Sequence, residues 1–316
     1  MRRIPLEDIE LNDQRFRISF FCSLDLLSQS IRVVGLIYPP VVTLRNGFII
    51  PVTGWKRILS CKQLPMSPIP VFVSKETDDL KSFKLAIFEN LTTREFDLIE
   101  RAEIVSRLKK FGEAERKIIE QYLPLLGIPP TYDYYDLYKK ISRMSKKEKY
   151  ILNQKKMALA VVEHLVQFSP KERQLFFPLL VLLSQNKQKE LLEMAREISF
   201  KRDIPVSEIF NSEEIKGVFF SKNLSPVQKA DRIRDLLKKI RFPLLSAREK
   251  SFEFSKKKLK WPKDIDLSPT PYYEDNMVHI KFSFSGHKDY LKKISNLQSM
   301  AEKDEFNALI KMVLDE

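Results

Sequence analysis

Gly54, Lys56 and Arg57 are the residues best suited by type and spacing to hold a phosphate. They lie in FIIPVTGWKRILSCKQL, residues 48–64. The apolar run 48–52 predicts a short strand. Pro51 lacks an N–H, so that strand is an edge or is about to end. Gly54 supplies a turn that other residues make only at a cost. Lys56 and Arg57 then fall in the first turn of an amphipathic helix, where cations oppose the helix dipole. A bound phosphate would account for them, because free N–H groups together with Lys and Arg form an anion cradle. A solvated helix start is the simpler reading of one Gly before a basic pair, so the flanking sequence has to decide.

Other chemistries lack their residues. Only three histidines occur, His164, His279 and His287, with no HExxH spacing for a zinc hydrolase. No GxSxG or Walker A segment is present, and seven glycines leave no Gly-rich phosphate loop. Cys22 and Cys61 stand in no metal spacing and read as small core residues of a reducing cytoplasm. No apolar run approaches the ~20 residues of a membrane span. The start, MRRIPLEDIEL, has no apolar core of a secretory signal, so a cytoplasmic protein without a membrane partner is expected. The net charge of +13 calls for a polyanionic partner. Residues 137–157 hold eight Lys/Arg against one acid, and residues 225–261 hold twelve against four. Such runs are often solvated helix faces, but two of them in a chain this basic point to nucleic acid.

The elements that would position the Gly54 turn are readable. Residues 4–11 look like a short strand, followed by a turn at residues 12–14. A helix over residues 23–34, capped by Ser23 and stopped by Gly35, places Leu24, Leu27 and Ile31 on one face. Pro39-Pro40 leads into a strand over 41–44, and Asn46-Gly47 predicts a two-residue hairpin turn. A buried strand at 69–73 and helices at 83–90 and 100–111 follow. Strands mixed with helices make an α+β N-terminal part.

Four pieces in this part resemble the ParB N-terminal domain, shared with Noc and more distantly with sulfiredoxin. They are Ser30-Ile31 with Gly35, Pro40-Val41-Val42, Gly54-Trp55-Lys56-Arg57 and Glu89-Asn90-Leu91. The resemblance implies a nucleotide-binding fold, with CTP the ligand in ParB members and another nucleoside triphosphate the alternative. It implies that Gly54, Lys56 and Arg57 hold phosphates and that Gln14, with Arg15 or Arg17, reaches the nucleotide. It also places Asn90 and Arg94 at the nucleotide and Glu89 and Asn90 toward Mg²⁺, with Glu89 the residue any CTP hydrolysis would need. Helix termination and capping offer Glu89 and Asn90 another role. Trp55 stands where the family has Glu, and Thr93 where it has Arg. Beside a phosphate turn Trp55 either packs on a base or fills the core, the ordinary fate of a lone Trp. These departures bear on nucleotide identity and hydrolysis more than on fold.

From Glu113 the chain reads as helical. A helix over 114–126 closes at Gly127, and a second over 131–141 is opened by Pro129-Pro130. That outline is a helix-turn-helix, which in ParB proteins follows the nucleotide domain and reads DNA. Tyr135 and Tyr138 read as packing, whereas Tyr132 and Tyr134 near the helix start are placed to touch DNA. Lys139, Lys140, Arg143, Lys146 and Lys147 are the candidate phosphate contacts. More helices are expected at 157–168, 170–183, 187–200 and 206–211. The C-terminal part promises a basic helix over 226–241, strands over 258–267 and 277–284, and helices over 288–301 and 304–314.

The sequence thus predicts three parts. They are a ParB/sulfiredoxin-like α+β nucleotide-binding domain (1–107), a helical helix-turn-helix-like DNA-binding region (108–223) and a small α+β unit (224–316). The function expected is that of a nucleoid-associated, homodimeric DNA-binding protein acting in partition or transcription. The rival is an enzyme of the same fold, a phosphotransferase or nuclease. Sulfiredoxin is disfavoured, because Lys56 stands where its catalytic Cys would precede Arg57.

Overall fold

The structure, a computed structural model, describes residues 1–21, 23–270, 273 and 277–314. The chain is α+β and mostly helical. It divides into two compact units, Met1–Val181 and Leu182–Glu316.

The first unit holds a four-stranded sheet in the order β1-β4-β2-β3. Its strands are β1 (Arg2–Ile4), β2 (Val41–Arg45), β3 (Phe48–Pro51) and β4 (Ile69–Ser74). β2 runs parallel to β4, and the other two pairs are antiparallel. Asn46 and Gly47 both take positive φ, 49° and 84°, as a two-residue hairpin turn requires. That turn fixes the register that sets Arg45 opposite Phe48 and Val42 opposite Pro51. Pro51 lies on the edge strand, where a missing N–H removes least from the ladder. The N-terminal strand is shorter than expected. It ends at Ile4, since Pro5 has no N–H to continue it, and Leu6–Asp8 form a 3-10 turn instead.

Helices α1 (Asp25–Val34) and α2 (Trp55–Gln63) pack on the sheet. Ile31, Ile58 and Cys61 meet Ile4, Val42, Ile69 and Val71 there. Cys61 is fully buried, and burial pushes its thiol pKa up. Cys22 lies outside the described residues. Helix α3 (Asp79–Leu91) starts earlier than expected, because Asp78 accepts the N–H groups of Leu80 and Lys81. Asp97 and Glu100 form a capping box that starts α4 (Leu98–Lys110).

No residue from 113 to 200, all described, lies in a strand. Helix α5 (115–125) contains a π turn at Ile118–Tyr122 and gives way to Gly127, φ 68°. Helix α6 (Tyr132–Ser142) starts at a Thr131 cap. Pro129-Pro130 therefore precede the helix rather than occupy its first turn. Tyr135, Tyr138 and Ile141 are buried on α6, which packs on α4. Helix α7 (Lys146–Gln154) starts with a Ser145–Glu148 capping box. Helices α8 (Leu159–Leu165) and α9 (Pro170–Leu180) are shorter than expected, and α9 carries Pro178 inside it.

In the second unit α10 (Gln185–Arg202) is followed by α11 (Val206–Phe210), α12 (Glu213–Phe220) and α13 (Pro226–Arg241). Lys187–Asp231, Glu190–Arg234 and Glu197–Arg241 pair α10 with α13. All three pairs share an offset of 44 residues, so the two helices run parallel. Helix α14 (Pro243–Lys258) occupies sequence in which no helix was expected, and β5 is confined to Ile265–Pro269. Three lysines in the last turn of α14 suit the negative helix end better than a strand interior. β5 pairs antiparallel with β6 (Val278–Phe282), and α15 (His287–Ala301) and α16 (Asp304–Leu314) close the unit. Its core gathers Phe252, Leu259, Trp261, Ile265, Leu267 and Leu309.

Candidate functional site

The Gly54 turn opens a cavity of about 480 Å³ in the first unit, within the usual range for small-molecule sites. The β3–α2 junction supplies one wall, and the end of α3 with residues 92–94 supplies another. Gly54 has φ 75°, and a Cβ there would stand 2.7 Å from the Pro40 Cβ and 3.1 Å from Arg57 Nε. No side chain caps α2. The N–H groups of Trp55, Lys56 and Arg57 have no partner among the described residues. Lys56 is half-buried, and its ammonium has no partner among them either. Trp55 is buried on the cavity wall, with its Nε1 unpaired.

The two arginines of the cavity are braced. Arg57 donates through Nη1 to the Tyr38 carbonyl at 2.8 Å and through Nη2 to Glu89 at 2.5 Å. Arg94 donates to Asn90 Oδ1 at 3.1 Å, Glu100 at 2.6 Å and Ser19 Oγ at 2.7 Å. Asn90 is held at both ends, since its Nδ2 also donates to the Ala86 carbonyl at 2.8 Å. Arg94 and Asn90 thus support the wall, and neither can turn toward a ligand without breaking these bonds. One Glu89 oxygen meets Arg57, which leaves the other to take a cation.

Gly54, Lys56, Arg57, Glu89, Asn90 and Arg94 are therefore brought together, and Gln14 is not. Gln14 is exposed on a separate depression with Asp13, Arg15, Asp79 and Arg107. Its carbonyl accepts from Arg107 Nη1 at 3.0 Å, which pins the turn away from the cavity. Arg15 is locked between Asp13 and Asp79. Arg17 does not line the cavity; its guanidinium stands 5.5 Å from the Trp55 ring centroid, and its Nε donates to the Ser19 carbonyl.

The basic stretch 137–157 forms the second half of α6, all of α7 and their flanks. Lys140, Arg143, Lys146 and Lys147 are exposed and have no partner among the described residues. Lys139 differs, with Asp136 at 3.2 Å and the Tyr135 ring beneath it. Tyr132 is 62% exposed, Tyr134 half-buried. Two ion pairs, one half-buried and one buried, hold α7 in place. Lys149 donates to Glu103 at 2.6 Å, and Glu148 receives Arg173 Nε at 2.6 Å. Burial pushes the Glu148 carboxyl pKa up, but Arg173 and Ser145 together outweigh it and hold the group below the usual carboxylate range.

A Chlamydia trachomatis protein described as a probable chromosome-partitioning protein ParB is 30% identical over 156 residues. That match covers 41% of this chain and 55% of the relative, so the chain spans about half of its length. A nucleoid occlusion protein from Bacillus velezensis is 25% identical over 194 residues, covering 57% of this chain and 67% of the relative. The chain is thus similar to ParB and to nucleoid occlusion proteins.

Two solved structures of C-terminally truncated ParB from Caulobacter crescentus also match. One, complexed with CTP-gamma-S, has 21% identity and a TM-score of 0.27, covering 54% of this chain and 93% of that one. The other, complexed to the centromeric parS site, has 17% identity and a TM-score of 0.36, covering 61% and 99%. At these scores neither superposition adds to what the sequence relatives show. No family model matches.

Within the ParB/Noc-like pattern, the two departures have structural answers. Trp55, in place of the family Glu, is a wall of the cavity and is only 6% exposed. Thr93, in place of the family Arg, leaves the neighbouring Arg94 to serve as a brace. Sequence reasoning missed Tyr38, Ser19 and Glu100. Glu100 shows only its capping signal in sequence, and the carbonyl of Tyr38 shows none.

Proposed function

We propose that this chain is a DNA-binding protein of the partition type whose DNA engagement depends on a nucleoside triphosphate, CTP, held in the Gly54–Arg57 cavity. The observation that carries the reading is the start of α2. Three unpaired N–H groups and the unpaired Lys56 converge where Gly54 keeps the backbone close. Such a helix start attracts phosphate through its dipole and its donors. The buried, unpaired indole N–H of Trp55 supports a polar ligand, because an unmet buried donor costs on the order of 1–3 kcal/mol.

The residues present also fit Mg²⁺. One carboxylate oxygen of Glu89 is open, and this ion binds through one or two carboxylates plus substrate phosphates. Bound there, Mg²⁺ would supply charge neutralisation at the phosphates. Arg57 orients Glu89 and lends a charged fork to the phosphates, while Asn90 and Arg94 keep the wall in place. Any CTP hydrolysis would depend on Glu89. In this reading residues 1–107 bind nucleotide, α6 and α7 contact DNA, the C-terminal segment completes a homodimer, and the protein works on the nucleoid in the cytoplasm.

The test is a thermal-shift screen of the four nucleoside triphosphates with Mg²⁺, with and without DNA. A ligand bound only by the native state raises apparent stability by mass action. A shift with CTP, enlarged by DNA, is expected. A flat response to all four would leave the Gly54 turn as inherited architecture in a regulator that no longer binds nucleotide.

A further inference from the structure

Hydrolysis of a bound triphosphate makes two demands on a cavity. A water oxygen must line up on the γ-phosphorus, opposite the bond to the β-phosphate oxygen. As the new P–O bond forms and the old one breaks, the water must also give up a proton. A carboxylate or histidine takes that proton, or a neutral amide holds the water in line. The Gly54 cavity has a carboxylate and an amide, and both are already engaged.

Glu89 is the one carboxylate among the described residues that line the cavity, and no histidine is among them. One of its oxygens is held by Arg57 Nη2. The other is the one the nucleotide reading gives to Mg²⁺, so neither is left for an attacking water. Asn90 is the amide. Its Oδ1 accepts from Arg94 Nε at 3.1 Å, and its Nδ2 donates to the Ala86 carbonyl at 2.8 Å. It cannot turn toward a phosphate-bound water without breaking these bonds.

The remaining polar groups do not replace them. Lys56 and the two arginines bring donors only. Arg94 has all three nitrogens engaged, by Asn90, by Glu100 and the Glu95 carbonyl, and by Ser19. The hydroxyls of Thr92 and Thr93 donate to carbonyls of α3, Glu89 at 2.8 Å and Asn90 at 3.1 Å. The cavity is thus furnished to bind and neutralise phosphates, with its acid–base and water-orienting groups committed elsewhere.

We propose that the cavity holds its triphosphate intact. The bound state then ends by dissociation, and occupancy follows the free concentration of the triphosphate instead of running down through turnover. This rests on the nucleotide reading of the same cavity and concerns how the site is reset. Water attack without a base forgoes the roughly 10²–10⁴-fold that such a group supplies.

The test uses the full chain with Mg²⁺ and duplex DNA. CTP labelled in its base is bound and then displaced by excess unlabelled CTP, which gives the dissociation rate. Chromatography of the released label shows whether it leaves as CTP or as CDP. It should leave as CTP, with phosphate formed at least about 100-fold more slowly than the label dissociates. The β,γ-imido analogue, which water cannot cleave at that bond, should sustain DNA binding for as long as CTP does. Label leaving as CDP overturns the proposal, as does CTP-supported DNA binding that decays while binding with the imido analogue persists. Failure to bind any triphosphate overturns the nucleotide reading itself and this proposal with it, whereas binding with turnover overturns this proposal alone.

Discussion

The Gly54 cavity and the α6–α7 face are both basic, but they handle charge in opposite ways. In the cavity the arginines are satisfied within the protein, Arg57 by Glu89 and Tyr38, Arg94 by Asn90, Glu100 and Ser19. What remains for a ligand is Lys56, a set of backbone donors and the Arg57 N–H groups not used by Tyr38 and Glu89. On the face, Lys140, Arg143, Lys146 and Lys147 stand in solvent with no partner among the described residues. A braced site has little to reorganise and can be selective. An unbraced array works by releasing counterions, so its binding follows salt rather than shape. The comparison therefore predicts selectivity at the cavity and non-specific affinity at the face.

The largest effect should come from Gly54→Val. Its Cβ would collide with Pro40, and φ 75° alone costs a side chain roughly 1–2 kcal/mol. Nucleotide binding should disappear while salt-dependent DNA binding persists. Calorimetry and anisotropy on one preparation check both, and joint loss would mean the two regions are not separable.

Next in size is Glu148→Gln, which leaves Arg173 buried without its charge partner. Breaking such a pair costs about 3–5 kcal/mol, read by urea denaturation near neutral pH. The folded-state pKa of Glu148 is depressed. Its contribution is thus fully present above the ordinary Glu value of about 4.3 and is lost as pH falls through the depressed value. The variant should lack that acid-side loss. A wild-type stability flat through the acid range would deny the pair its role in holding α7.

Replacing Lys140, Arg143, Lys146 and Lys147 with Ala should flatten the salt slope by about 3.6, at ~0.9 per contact. Nucleotide affinity without DNA should not change. An unaltered slope would make α6–α7 a solvated face. The smallest effect belongs to Tyr132→Ala. Its ring is 62% exposed and should contribute a few-fold in DNA affinity at most, with no change in melting temperature.

Local chemistry made much of this legible in the sequence. The Asn46-Gly47 hairpin, the Pro51 edge and the Gly54 start of α2 each follow from one or two residues whose backbone options are few. Pro226 and Arg241 bound α13 as read, since Ser225 and Gln228 supply a capping box. Helices α7, α12 and α14 were not legible as helices. In α14 the only buried residues are Ser246 and Phe252, so charge hides the apolar stripe. The cavity was legible as a Gly-Lys-Arg turn, but not its braces. Arg57 and Glu89 lie 32 residues apart, and Arg94 and Ser19 lie 75 apart. Gln14 lies outside the cavity for a related reason, as Arg107, 93 residues on, holds the turn elsewhere.

The most direct measurement is titration calorimetry of CTP with Mg²⁺ into the wild type, Lys56→Ala and Arg57→Ala. The account predicts heat with the wild type, and affinity weakened about tenfold or more by Lys56→Ala, since a charge-assisted bond contributes about 1.5–3 kcal/mol. It predicts no binding by Arg57→Ala, which frees Glu89 to repel the phosphates. Binding that survives both substitutions undiminished would contradict the site, and no heat for any triphosphate with the wild type would contradict the function.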